Sequence, residues 1–309
     1  MSCYSPNVVR WSADPFTGEA SAQFLGQLRD QYTYDHLEEQ AMQLVPCGQC
    51  IGCRLDYSRH WADRLVLELS KYNGSALFIT LTYNDDHLPL SDDFSVPTLL
   101  VRDTQLYHKR LRKAFPDRVL RFFMCGEYGS ITHRPHYHEV LFGLSMCDFS
   151  DLRPCQRNEL GQLSFTSPTL EKIWSNGFIL FSEISYASMC YVSRYSLKKA
   201  FGYSNDPRQH PEFLLMSRRP GIGLDYFESH DPTDVVFFSG KKISIPRSVL
   251  DRCGDSAFVS KVLEQRQRLA HDTLLTELSL TDLPYLDYIK VKERSKAEKI
   301  AKLKKRSDL

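Results

Sequence analysis

The chain has 309 residues, 42% hydrophobic and 25% charged, enough for one large domain or two modest ones. Its net charge of +1 excludes a globally basic nucleic-acid binder, so any surface for an anionic partner must be local. No apolar run approaches the roughly 20 residues that cross a bilayer, and MSCYSPNVVRW lacks the basic-then-apolar layout of a signal peptide. A soluble, intracellular chain is therefore expected, and in a reducing compartment its nine cysteines are better read as metal ligands than as disulfides.

Residues 1 to 46 show little periodicity, and the Gln-, Asp-, Glu- and Tyr-rich stretch from Phe24 to Met42 is expected to be partly helical. Next, Cys47, Cys50 and Cys53 form C-x2-C-x2-C, a spacing that wraps successive thiolates round one ion while Gly48 and Gly52 relieve the turn. Structural zinc wants four ligands, and the fourth is expected to be Cys3 or else His60. The bland alternative is three reduced cysteines at a Gly-rich helix entrance. Some iron–sulfur motifs open this way, but the full four-cysteine run is absent.

From Arg54 to Lys71 the apolar residues Trp61, Leu65 and Leu69 recur at i+4, the period of a helix. Arg54, Arg59, Arg64 and Lys71 would lie largely on its other surface. The β-branched and aromatic run ALFITLTY, Ala76 to Tyr83, reads as a buried central strand. Asn84, Asp85, Asp86 and His87 follow in a loop that reads as a capped turn. Asp103 to Phe115 is helical, with Tyr107, Leu111 and Phe115 on one stripe and a basic cluster of His108, Lys109, Arg110, Arg112 and Lys113 suited to a nucleic-acid backbone.

Pro116 stops that helix, and RFFMCGEYGSITHRPHYHEVLFG follows as a hairpin from Arg121 to Gly143. His136 and His138 point to one face of its second strand and Tyr137 to the other. The turn folds Glu127 back towards both histidines. Two imidazoles and a carboxylate on one sheet face make a divalent-metal site with open positions. The bland reading is two surface histidines on a half-exposed strand.

Residues 145 to 170 read as loop. Phe178 to Ile184 is a strand entered by the turn Ser175-Asn176-Gly177, and Ser185 suits the N-cap of a helix from Tyr186 to Ala200. On that helix Tyr191 and Tyr195 stack one turn apart, with Lys198 and Lys199 just beyond; the bland reading is tyrosines at a core edge with snorkelling lysines. From Phe213 to Tyr226, a loop carries Arg218 and Arg219 before Pro-Gly-x-Gly, which reads as a structural turn that can touch phosphates. A second hairpin joins Val235–Phe238 to 241–245, and helices follow Pro246. From Lys290 to Leu309, nine Lys or Arg against three Asp or Glu give +6 (9 − 3), a solvated helix or a non-specific DNA-binding arm.

PCGQCIGCR, FITLTYNDDHLP, CGEYGSITHRPHYHEVLFG, YVSRYSLKK and MSRRPGIG, taken in this order, resemble the HUH endonuclease superfamily of rolling-circle replication initiators. The likeness is strongest to the initiators of microviruses, the small circular single-stranded DNA phages, of the gokushovirus type, and it spans roughly residues 44 to 226. The resemblance implies an α+β fold, a central antiparallel sheet with flanking helices, followed here by a mostly helical C-terminal extension. The expected domains are an N-terminal Cys-cluster segment (1–60), the endonuclease domain (61–246) and a basic helical tail (247–309).

The resemblance also implies Mg²⁺ or Mn²⁺ on His136 and His138, with Glu127 as a third ligand; two imidazoles favour Mn²⁺ in vitro. It implies Tyr191 and Tyr195 as nucleophiles, Lys198 or Lys199 as an assisting cation, and a 5′-phosphotyrosine intermediate that leaves a 3′-hydroxyl primer. Single-stranded or replicative-form origin DNA, a host helicase and a host polymerase are the expected partners, in the host cytoplasm. No Walker-type GxxxxGK[ST] occurs, so unwinding is left to a partner. The competing readings are a zinc-stabilised nucleic-acid binder without catalysis, a metal phosphoesterase in which water attacks, and a redox protein built on the cysteines.

Overall fold

The computed structural model describes residues 3–14, 17–28, 42–129, 132–157, 161–199 and 206–307; the side chains of 195–199 and 302–307 fall outside that description. Its elements sort into two units, Met1–Tyr57 with Ala257–Leu309, and Ser58–Ser256.

The first unit begins with β1 (Asn7–Ala13), β2 (Ala20–Gln27) and β3 (Met42–Val45), an antiparallel sheet in the order β2-β1-β3. Phe24 to Gln27 is therefore strand, not helix: alternation across a ribbon edge outweighs the polar composition. The rest of that expected helix, from residue 29 to 41, lies outside the described residues. Helix α1 (Ile51–Ser70) follows, and the boundary between the units falls within it.

The second unit holds β4 (Ala76–Tyr83), α2 (Val101–Ala114), β5 (Arg121–Tyr128), β6 (Pro135–Phe142), β7 (Arg153–Arg157), β8 (Leu163–Thr166), α3 (Pro168–Trp174), β9 (Gly177–Glu183), α4 (Tyr186–Lys199), β10 (Phe213–Met216), the ribbon β11 (Val235–Phe238) and β12 (Lys241–Ser244), and the short α5 (Arg247–Leu250). Seven strands form one antiparallel sheet in the order β10-β5-β6-β4-β9-β8-β7. The FITLTY run is its central strand. The segment from 145 to 170 is not a loop: it supplies β7, β8 and α3. These strands are short, polar and mostly exposed at the sheet edge, so they lack the alternation that marks a half-buried strand. Likewise β10 opens the expected loop at Phe213 with an edge strand paired to β5.

Alternation along the central strands separates two apolar layers. Leu77, Ile79, Leu81, Tyr83, Met124, Tyr137 and Leu141 pack with Tyr107 and Leu111 of α2 and Leu170 and Trp174 of α3. Phe78, Phe123, Cys125, Val140 and Phe142 pack on the other face with Ala62, Leu65, Val66 and Leu69 of α1 and Met189 and Val192 of α4. The fold is α+β, an antiparallel sheet with flanking helices. In the first unit the chain ends in α6 (Ser256–Leu278) and α7 (Tyr285–Ser307). Among the described residues no helix is long and apolar enough to cross a membrane.

The glycine-rich loop after β10 is fastened by buried charge. Glu68 Oε2 accepts a 2.7 Å hydrogen bond from the Gly223 amide, and Glu68 Oε1 pairs with Arg121 Nε at 2.7 Å. Arg64 Nε donates to the Ile222 carbonyl at 2.8 Å, and Arg121 Nη2 to that of Pro220. Arg64 and Lys71 are thus not part of a solvated face: Arg64 is buried, with its guanidinium over the Trp61 ring, and Lys71 pairs with Asp225 at 2.6 Å. Gly223 adopts φ +63, and an added Cβ would meet the Arg64 carbonyl oxygen at 2.5 Å, so only glycine fits. Removing a fully buried carboxylate from such a network leaves its cations unmatched. Glu68→Ala is expected to lower stability to urea by about 3 kcal/mol; a loss below about 1 kcal/mol would mean that the network does not hold the loop.

Candidate active site

The hairpin register decides what can meet. In the β5–β6 ladder Glu127 stands directly opposite His136, and Cys125 opposite His138; on β4, Thr80 stands opposite His138. Directly paired residues share a face, so Glu127, His136, His138 and Thr80 all lie on the α1/α4 side. Pro135 opens β6, where its missing N–H costs no central ladder bond. The turn between the strands closes through the Gly129 amide, which donates to the Arg134 carbonyl at 3.0 Å.

Both imidazoles converge on one carboxylate oxygen: His136 Nε2 and His138 Nε2 each lie 2.9 Å from Glu127 Oε1. Glu127 is buried, which opposes its ionisation, yet the hydrogen bonds and charge of the two histidines outweigh burial and hold the carboxyl at about 2. It is a carboxylate at neutral pH. The far nitrogens are also engaged. His136 Nδ1 lies 3.1 Å from the Arg134 carbonyl, and His138 Nδ1 lies 3.0 Å from Thr80 Oγ1. A carbonyl only accepts, so Nδ1 of His136 carries the proton and its Nε2 offers a lone pair inwards.

This donor set fits a divalent cation. Neighbouring ligands on an octahedral ion with bonds of about 2.1 Å stand roughly 3.0 Å apart, close to the observed 2.9 Å. Glu127, His136 and His138 therefore form a group able to hold a metal ion. Three ligands leave positions for a substrate oxygen, unlike a closed structural site.

Helix α4 is started by a reciprocal serine pair: the Ser188 amide donates to Ser185 Oγ at 3.1 Å and the Ser185 amide to Ser188 Oγ at 2.9 Å. That entry lays the helix across the sheet, with Met189 and Val192 in the core and Tyr191 beside the histidines. Tyr191 Oη lies 3.5 Å from His138 Nε2, and the two rings meet edge to face at 5.0 Å. Phe78 stacks nearly parallel to the His138 ring at 5.8 Å. Tyr195 lies one turn further along α4, with Lys198 and Lys199 after it; their side chains lie outside the described ones.

Other expected contacts are not brought to this face. Helix α2 packs on the opposite side of the sheet, so exposed Lys109, Arg112 and Lys113 are separated from the triad by the sheet itself. Arg110 does not present a free guanidinium there: it donates to the carbonyls of Ile173 and Trp174 at 2.6 and 2.7 Å, capping the end of α3. His108 is buried, 2.7 Å from Glu139 and stacked on Phe122. Arg218 and Arg219 are exposed, but they follow Met216, which pairs with Phe123, about 13 Å along β5 from Glu127.

Thr80 and Phe78, which embrace His138, were not marked as functional residues by the sequence reading. Their signal was available: they alternate on the central strand, on the face that Thr82 and Thr80 share with His136 and His138. A second cluster, Cys3, Cys47, Cys50 and Cys53, is also able to hold a metal ion. His60 is not in it; His60 Nε2 lies 3.3 Å from Ser248 Oγ.

Residues 76–200 match a family model of replication-associated proteins of the ORF2 type. The chain is similar to the replication-associated protein ORF2 of Spiroplasma virus 4, 32% identical over 79% of this chain and 80% of the relative. It is also similar to the replication-associated protein VP4 of Bdellovibrio phage phiMH2K, 34% identical over 69% of each chain. A more distant likeness, 26% identity over 67% of this chain and 53% of the relative, is to the replication-associated protein ORF4 of Chlamydia phage 1. No solved structure matches.

Partners that orient a metal-binding imidazole typically set affinity by 10–100-fold. Thr80→Val is expected to weaken Mn²⁺ binding, read by isothermal titration, by about that range, and Thr80→Ser to restore it. Equal affinity in Thr80→Val would show that Thr80 does not orient His138.

Proposed function

The chain belongs to the family of phage replication-associated proteins, the rolling-circle replication initiators, and from that premise we propose that it nicks and rejoins origin DNA through Tyr191. The reading is carried by one juxtaposition: a tyrosine hydroxyl 3.5 Å from a histidine that converges with a second histidine and a carboxylate.

His136, His138 and Glu127 would hold Mg²⁺ or Mn²⁺. When bound, that ion supplies Lewis acidity and a template for a non-bridging phosphate oxygen. The chain's own residues account for the rest. Burial of Glu127, with its carboxylate fixed between two imidazoles, keeps the ligand set assembled before DNA arrives. Thr80 and the Arg134 carbonyl keep both rings turned so that Nε2 faces inwards. Packing of Tyr191 against Phe78 and His138 restricts its phenol to the edge of the site, which lowers the cost of orienting the nucleophile.

In the proposed reaction Tyr191 Oη forms a bond to the phosphorus of a phosphodiester as the bond to the 3′-oxygen breaks. The phenol gives up one proton and the departing 3′-oxygen takes up one, so no net proton is gained or lost. The products are a 5′-phosphotyrosine and a free 3′-hydroxyl that can prime synthesis. The phosphotyrosine keeps the energy of the broken ester for rejoining. Tyr195, one turn along α4, takes over the strand after a full circle, with Lys198 or Lys199 assisting. Proximity favours Tyr191 for the first cut.

Host helicase and polymerase complete the cycle in the host cytoplasm. Exposed Lys290, Arg294, Lys296 and Lys299 on α7, together with Lys109, Arg112, Lys113, Arg218 and Arg219, contact DNA backbone away from the chemistry.

On the phage's own replicative-form DNA with Mn²⁺, His136→Ala and His138→Ala are each expected to lower nicking by at least about 100-fold while changing DNA binding only a few-fold. Tyr191→Phe should abolish the first covalent adduct, seen as protein that stays with DNA in denaturing gels. Unchanged nicking in the histidine variants would refute the metal site. Nicks in Tyr191→Phe that end in free 5′-phosphate would favour attack by water.

A further inference from the structure

We propose that Cys3, Cys47, Cys50 and Cys53 form a second metal centre, a closed tetrathiolate zinc site that fastens the N-terminal strand to the start of helix α1. It is independent of the nicking reading.

The four sulfurs all lie within 4.8 Å of one another. Cys47 Sγ and Cys53 Sγ are 4.0 Å apart, and Cys50 Sγ and Cys3 Sγ 3.9 Å. A disulfide would require about 2.05 Å, and all four thiols are free. Sulfurs at the corners of a tetrahedron with metal–sulfur bonds of about 2.3 Å stand roughly 3.8 Å apart. The observed spacing therefore suits one ion shared by four thiolates. The cysteines of a multinuclear iron–sulfur cluster bind different irons and must stand further apart than one such edge.

The surrounding backbone treats these sulfurs as anions. The Tyr4 amide donates to Cys50 Sγ at 3.2 Å and the Cys47 amide to Cys3 Sγ at 3.3 Å. The amides of Gln49 and Cys50 donate to Cys47 Sγ at 3.4 and 3.3 Å. N–H groups turned inwards offset the charge that four thiolates place on a divalent ion. Gly48, at φ +76 with open space around its Cα, makes the tight turn between the first two ligands. Cys53 sits in the first turn of α1, where the helix dipole favours a thiolate.

The sheet around the cluster supplies the need for a staple. Pairing of Asn7 with Val45 carries Cys3 to Cys47 across 44 residues of sequence. The adjoining core is small: Val8, Leu28, Met42 and Ile289 are its buried members. A core of that size stabilises a fold weakly, and a structural metal is the usual remedy. Four protein ligands leave no position for water or substrate, so this site is structural whereas the triad is open.

The test is metal analysis of the purified full chain after dialysis against EDTA, with no DNA present. About one zinc per chain is expected in the unaltered protein. Cys155→Ser, at an exposed thiol outside the cluster, and His136→Ala should keep that value, while Cys3→Ser and Cys50→Ser should fall near zero with a lower melting temperature. Should those two variants fail to fold, native alkylation of the unaltered chain decides the matter. Cys3, Cys47, Cys50 and Cys53 should resist iodoacetamide until zinc is stripped, while Cys155 reacts at once. A zinc-free native chain, four cluster thiols that react as fast as Cys155, or iron in place of zinc would overturn the proposal. Loss of nicking with zinc retained would instead count against the function proposed above.

Discussion

The site depends on one pairing, Glu127 on β5 against His136 on β6. Side chains alternate with a period of two, so a slip of one residue would send the carboxylate to the α2 side and leave two buried imidazoles without an anion. The register is held from both flanks. Tyr128 pairs with Pro135 at the turn, and Phe123 with Val140 in the core. The neighbouring strand β4 then delivers Thr80 beneath His138. A metal-binding group assembled this way resides in the sheet rather than in a loop, and its geometry is fixed to the extent that the core is fixed.

The two faces of the sheet divide the work. The α1/α4 face carries the triad and Tyr191. The other face carries a polar network of its own, with His108 on Glu139, and Tyr137 Oη 2.8 Å from Tyr83 Oη, which donates to Asp103. Glu139 and Tyr137 are the immediate neighbours of His138 on β6 but point away from it. Their hydrogen bonds anchor the backbone of the His-x-His strand from behind, so the alternation that builds the site on one face also braces it on the other.

Much of this was legible in the sequence. The apolar central strand, the His-x-His hairpin, the Ser185 cap and the Tyr-x3-Tyr helix each rest on strong local signals, namely β-branched runs, turn residues and helical spacing. The edge strands β7, β8 and β10 escaped because they are short and exposed or partly exposed, and their pairing is decided by a neighbour far along the chain. Charge was the weakest guide. His108, Arg64 and Arg110 look like solvated cations by composition, yet each is engaged with a buried or backbone acceptor. Composition reports that a residue is ionisable; only the tertiary partner decides whether its charge faces water.

The account stands on covalent chemistry at one phenol. The most direct measurement is tandem mass spectrometry of the DNA–peptide adduct trapped after one round of reaction with Mn²⁺ and origin-bearing single-stranded DNA. The account predicts a nucleotide linked through its 5′-phosphate to Tyr191. An adduct on a residue outside the helix Tyr186–Lys199, or cleaved DNA with no protein attached, would contradict it.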